Sequence, residues 1–272
     1  MRSLLSLPAF NCLIVPSLSL SIVLVGFLLV CPIIPASPAA GVGQKVDIPV
    51  GTVLPVSLEH PLSSKDLTKG ESIEGRIMQD VPLPNREKIP IGAKIHGTIL
   101  SAVSAEKGPA SITFRLDSIE LRHVTVAVVT GLRVMAPFED VQAAHAPYQQ
   151  VTSGSPSDWA TTVQIGGDRR YGSGGKVTNR HNQTIGKATS GDGVLVHLQD
   201  PPDSPCAGWP SGPEHPQALW VFSAHACGLF DLRGMRIAHA GNTDPLGEIT
   251  LTKEEGDIKI MKSSALLLRT VR

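Results

Sequence analysis

Four residues in one stretch hold most of the ligand chemistry of this chain: Cys206, His215, His225 and Cys227. Two thiolates and two imidazoles make the donor set of a tetrahedral zinc site. In an oxidising compartment the same two cysteines form a disulfide instead. The spacing lacks the short Cys-x2-Cys pairs of zinc modules. His225-Ala226-Cys227 places its outer side chains on one face only if the segment is extended. The reading adopted is a Cys206–Cys227 disulfide with two surface histidines. It would close a loop of about 20 residues, stabilising by roughly 3 kcal/mol in the chain-entropy account. No metal, cofactor or catalytic residue is assigned. Trp159, Trp209 and Trp220 offer aromatic contact area. Trp220 lies in an apolar run near a cysteine and is expected to pack against the disulfide. Trp209, between Gly208 and Pro210, is the better contact candidate. The binding candidates are therefore Trp209, His215 and His225.

Other chemistry-bearing patterns fall short of their requirements. A phosphate loop needs Gly-x4-Gly-Lys and then a hydroxyl to hold the metal. Here Gly175-Lys176 precedes Val177, and Arg170 stands where the first glycine belongs. Tyr171-Gly172-Ser173-Gly174-Gly175 reads as a turn. Ser104-Ala105-Glu106-Lys107 has a Ser-x-x-Lys spacing, but it runs into Gly108-Pro109 rather than along a helix. No Gly-x-Ser-x-Gly elbow or dinucleotide fingerprint occurs. The carboxylate pairs Glu71 and Glu74, Glu139 and Asp140, and Glu254 and Glu255 read as solvated faces.

The elements that must position these residues are short strands. The 26 glycines and 22 prolines are spread along the chain, as many turns require. Strands are expected at Val53–Leu58, Ile73–Gln79, Ala93–Val103 and Ser111–Leu121, with Pro55 marking an edge or bulge. Val124–Leu132 reads as one central β-branched strand, after a tight connection at Arg122-His123. Phe138–Ala146 is expected to be a loop or short helix. Further strands are expected at Trp159–Ile165, Ile185–Thr189, Val194–Leu198 and Met235–Ala240. Ile249–Lys253 and Ile258–Met261 flank a hairpin-type turn. Ser264–Val271 is expected to pair with an early strand. The fold class is mainly all-β: a small β-barrel or sandwich with a loop-rich inserted lobe, plus an N-terminal apolar helix. The barrel takes 47–135 and 245–272, and the lobe takes 136–244.

Ile48-Pro49-Val50-Gly51-Thr52-Val53-Leu54 and Ile89-Pro90-Ile91-Gly92-Ala93-Lys94-Ile95 are two copies of one signature. No third copy appears, so this is no solenoid period. The doubled Ile-Pro-x-Gly entry, with Gly97 following the second copy, resembles the C-terminal β-barrel of TrbI-like components of conjugation and type IV secretion channels. The resemblance covers residues 48–103 and implies a barrel fold rather than channel function. That family also carries an N-terminal membrane helix. The chain further looks like exported bacterial proteins with this barrel start and a Trp220-x-Phe222-x4-Cys227 stretch.

Residues 1–40 are read as an export segment. Cys12–Ile34 is uncharged and long enough to span a bilayer. Ser37-Pro38-Ala39-Ala40 supplies the small residues of a cleavage site. A cleaved signal peptide and a retained membrane anchor both remain open. Either places the rest outside the cytoplasm, periplasmic or secreted, with membrane attachment only if the segment is kept. Without Arg2 the exported part has 23 basic and 24 acidic residues. That balance excludes an electrostatic nucleic-acid binder. The function expected is a non-enzymatic exported binding or envelope-assembly module with envelope proteins as partners. The alternative is an extracytoplasmic enzyme or metal-binding protein using residues 200–240.

Overall fold

The computed structural model describes residues 46–122, 124–146, 161–172, 174–199, 206–207, 209, 212–238 and 245–272. The N-terminal apolar segment and Trp159 lie outside these residues. No helix among the described residues is long and apolar enough to cross a membrane.

The first half is a run of strands: β1 (Val53–Leu58), β2 (Leu62–Ser63), β3 (Ser72–Ile77), β4 (Val81–Pro82), β5 (Lys88–Ile89), β6 (Lys94–Val103), β7 (Ala110–Leu121), β8 (Val124–Ala127) and β9 (Thr130–Ala136). Helix α1 (Phe138–His145) follows. The lobe holds β10 (Thr161–Val163), β11 (Arg169–Tyr171), β12 (Lys176–Thr178), β13 (Thr184–Ala188), β14 (Val194–Val196) and β15 (Gln217–Ala218). The chain ends through β16 (Gly228–Leu229), β17 (Met235–Ile237), β18 (Ile249–Lys253), β19 (Lys259–Ile260) and β20 (Ala265–Thr270). The fold is mostly β, as the alternating pattern predicts.

Ten strands form one sheet in the order β16-β9-β20-β1-β3-β6-β7-β18-β17, with β8 pairing β7. All pairs are antiparallel except β16 with β9. The sheet curls until β16 and β17 meet, giving a nearly closed barrel. The C-terminal strand β20 lies between β1 and β9. Segment 228–237 thus belongs to the barrel sheet, while β10 to β15 form a separate six-stranded sheet.

Alternation explains β3, where Ile73, Gly75 and Ile77 point inward and Glu74 and Arg76 outward. In β7 the inward set is Ile112, Phe114, Leu116, Ile119 and Leu121. Its phase slips between Leu116 and Ile119, opposite a register shift at His96/Gly97. Strands β1, β9 and β20 behave differently, for every residue in them is buried. Leu54, Val56, Leu132, Met135, Leu266 and Leu268 fill the barrel. Val53, Val134, Ala136, Ala265 and Leu267 face the other way, into a second core with Val177, Val194, Leu219, Trp220 and Phe222 of the lobe.

The two Ile-Pro-x-Gly copies make the same turn twice. Thr52 N–H donates to Pro49 O at 3.1 Å, and Ala93 N–H donates to Pro90 O at 3.2 Å. Gly51 and Gly92 have φ of 84° and 87°, the positive value a type II turn requires at its third position. Each turn also joins a neighbouring strand in the same way. Gly51 N–H donates to Thr270 O, and Gly92 N–H to Ile77 O, both at 2.8 Å. Thr270 and Ile77 in return donate to Thr52 O and Ala93 O. The signature therefore marks two equivalent strand entries.

Three expectations need correction. Val124–Leu132 is not one central strand. β8 is exposed and pairs only β7, and the chain bends at Val128, whose N–H donates to Asp117 O, before β9 enters the sheet beside β20. β-branched residues suit a pleated, half-exposed surface as well as a core, so they do not by themselves mark a central strand. Ile249–Lys253 and Ile258–Met261 do not form a hairpin. β18 pairs β7 and β17, whereas β19 pairs β2. Asp257 directs this crossover: its Oδ1 accepts Ala105 N–H at 2.9 Å and the Ser64 hydroxyl at 3.2 Å. Finally, Pro55 lies in a central strand. Its nitrogen faces the side where β3 has already ended, and its carbonyl accepts Met78 N–H at 2.9 Å. No ladder donor is lost there.

Gly97 and Gly92 provide a test. A Cβ at Gly97 would fall on the Arg115 carbonyl, a backbone group held in the β6–β7 ladder. A Cβ at Gly92 meets nothing within 4 Å, and only its positive φ is strained. Chemical denaturation should show Gly97→Ala losing ~3 kcal/mol and Gly92→Ala ~1 kcal/mol. Equal losses would contradict the assigned register.

Candidate functional site

The lobe is joined to the barrel where β3 leaves the sheet. Val53 N–H faces that gap and donates to Gln217 Oε1 at 3.0 Å. Gln217 Nε2 donates to His215 O at 2.9 Å. Gln79, buried just beyond β3, donates through Nε2 to Val194 O at 2.9 Å and accepts Trp220 N–H at 2.7 Å. Gln217 thus replaces a missing strand partner, and Gln79 ties the end of β3 to the lobe backbone.

Cys206 and Cys227 form the expected disulfide, with Cα atoms 6.1 Å apart. Their sulfurs bond each other, so they supply no thiolate pair to a metal. Among the described residues no group of three or more His, Cys, Asp or Glu side chains converges as a metal site. The buried Arg133 fixes the chain leading to Cys227. Its Nε and one terminal nitrogen donate to Ala226 O at 3.1 Å and Ala224 O at 3.0 Å.

The other candidates divide by environment. Trp209 is only 5% exposed, and its ring lies 5.7 Å from the Arg269 guanidinium, so it packs in the interior. His215 is half-buried, with Nε2 2.7 Å from Pro82 O, and ties the segment before β15 to β4. Trp220 is buried in the lobe core at a φ of 51°, its ring 5.9 Å from that of His145. His225 alone of the three binding candidates is exposed.

His225 opens onto a cleft of about 440 Å³ lined also by Gly166, Gly167, Asp168, Asn179, Arg180 and His181. Two loops build it. The first, Gly166–Asp168, joins β10 to β11. Gly166 has φ 104°, and a Cβ there would collide with Ser223 Oγ. Asp168 is buried and accepts Ala224 N–H at 2.6 Å, while Ser223 N–H donates to Ile165 O at 2.8 Å. Burial pushes the Asp168 carboxyl above the usual range, against the Ala224 hydrogen bond and the nearby His225, which lower it. The second loop joins β12 to β13. Asn179 Oδ1 accepts the N–H of His181 at 2.9 Å and of Gln183 at 3.1 Å, an Asx turn presenting Arg180 and His181 to solvent. Asp168, Arg180 and His181 carry no motif that marks them as site residues in the sequence. The usable signal was Asn179-Arg180-His181-Asn182-Gln183, a polar turn between two short strands.

A second cleft, about 350 Å³, lies between α1 and the segment after β16. Asp140 and Asp231 both line it. Asp140 is therefore not part of a solvated pair with Glu139, as the sequence suggested, because it is half-buried against a second carboxylate. Beside it His145 is held below its ordinary value, chiefly by burial, with Asp192 4.0 Å away opposing.

No known protein family, curated protein or solved structure matches the chain.

The Asp140 carboxyl is raised first by burial, then by the nearby charges of Asp231 and Glu139. The folded state binds its proton more tightly than the unfolded chain does. Stability should therefore fall as pH rises from the ordinary aspartate value of 3.8 through the folded one. Asp231→Asn should flatten that slope and raise the unfolding free energy at neutral pH by under about 1 kcal/mol. No gain at neutral pH relative to acid would refute the coupling.

Proposed function

We propose that this chain is an exported, non-enzymatic binding module of the cell envelope, with the barrel as scaffold and the lobe cleft as contact site. One observation carries the reading. Arg180, His181 and His225 are presented to solvent on loops locked from behind, whereas the cleft's acid, Asp168, is buried and committed to the Ala224 N–H. A carboxylate so engaged holds a loop in place and is poorly placed to accept a substrate proton. The Cys206–Cys227 disulfide is compatible with an oxidising compartment outside the cytoplasm. The likeness of the two Ile-Pro-x-Gly entries to TrbI-like barrels supports an envelope setting, with the N-terminal segment either cleaved or kept as an anchor. Envelope proteins and their small ligands are the partners this reading expects.

Native mass spectrometry of the protein recovered from the envelope fraction or medium of expressing cells is the test. The wild type should carry a bound mass that Arg180→Ala/His225→Ala loses. Recovery from the cytoplasm with both thiols reduced would contradict the reading, as would identical spectra for wild type and variant.

A further inference from the structure

The donors and acceptors around the cleft point to the class of ligand, on the premise that it is a binding site. Two of its polar side chains are already engaged. Asn179 Oδ1 accepts two backbone N–H groups, and its Nδ2 donates to Gln183 Oε1 at 3.0 Å. Asp168 Oδ2 accepts Ala224 N–H. The exposed groups left over are the Arg180 guanidinium and the imidazoles of His181 and His225. A guanidinium is a five-donor fork that only donates, and an imidazole donates through at least one nitrogen. The cleft therefore offers more donors than acceptors. Among the described lining residues none is Phe, Tyr or Trp, so the cleft shows no broad apolar face for a neutral sugar ring.

We infer that the cleft binds a small anion of monosaccharide size, recognised through a carboxylate or phosphate group held between Arg180 and the two histidines. The size is that of an ordinary small-molecule site, about 300–1,000 Å³. Arg180 matches the paired oxygens of either group in a bidentate contact. The site is held in shape before the ligand arrives. The Asn179 turn fixes Arg180 and His181, and the disulfide at Cys227 with the Arg133 clamp fixes the His225 loop. Such preorganisation lowers the ordering cost of binding. Asp168 opposes an anion only weakly, since its charge is engaged by the Ala224 N–H, sits close to His225, and is disfavoured by burial.

The test is a titration of the full exported chain with inorganic phosphate, galacturonate and glucose, followed by the imidazole proton resonances in NMR. The resonances of His181 and His225 should shift saturably with phosphate or galacturonate, and whichever binds tighter identifies the group recognised. Glucose should shift neither. Arg180→Ala should weaken the tighter anion at least tenfold, and Arg180→Lys should restore part of the loss, leaving the fold unchanged because the side chain is exposed. Binding of glucose as tight as the anions would overturn the inference. So would shifts of the exposed His60 equal to those of His181, or an Arg180→Ala affinity equal to the wild type. A bound mass in the native spectrum together with silent histidines would refute the anion while leaving the binding module standing.

Discussion

The structure depends on three neighbouring strands, β9, β20 and β1, being buried on both faces. A barrel strand ordinarily alternates, one face to the core and one to water. Here Leu54, Leu132 and Leu268 fill the barrel, while Val53, Val134 and Leu267 fill a second core under the lobe. Each such side chain contributes about 1.5–3 kcal/mol when taken out of water. A barrel stripped of its lobe would expose this outer row, and the lobe's short strands would lose their floor. The two sheets are thus two layers that share one wall.

The shared wall also fixes where the lobe can attach. β3 ends early, leaving the Val53 N–H without a strand partner, and Gln217 supplies the acceptor. Gln79 does the reverse, reaching out of the barrel to Val194 and Trp220. A buried donor or acceptor left unmet costs about 1–3 kcal/mol, so these amides define register between the layers. From that joint the chain runs to Cys227 under the clamp of Arg133. The loops forming the cleft are therefore tied to a rigid base, which is the condition for recognising a ligand with few groups.

The local pattern carried much of the barrel. Alternation placed β1, β3, β6 and β7 to within a residue or two, and the doubled Ile-Pro-x-Gly signature marked two turns of equal geometry. The pair of cysteines left beyond residue 40 was enough to expect the disulfide. Long-range partners were not legible. Nothing near Glu254 says that Ile258 crosses to Leu62–Ser63 instead of folding back, because the choice is made by Asp257 meeting Ala105 and Ser64. Val124–Val126 has the residues of a buried strand, yet only Val126 packs partly against the core. The cleft was hidden for the same reason. Asp168 and Ala224, or Arg180 and His225, become neighbours only after β10 to β15 assemble, and Trp209 turned inward because Arg269 lies beneath it.

Native-state hydrogen exchange tests the shared wall most directly. If barrel and lobe form one cooperative unit, the amides of β1, β9 and β20 and those of β13 and β14 should exchange with a common opening free energy, and Val53→Ala should lower all of them together. Lobe amides that exchange far faster than β1 and β20, with the barrel's protection untouched by that substitution, would show that the second core does not hold the two layers together.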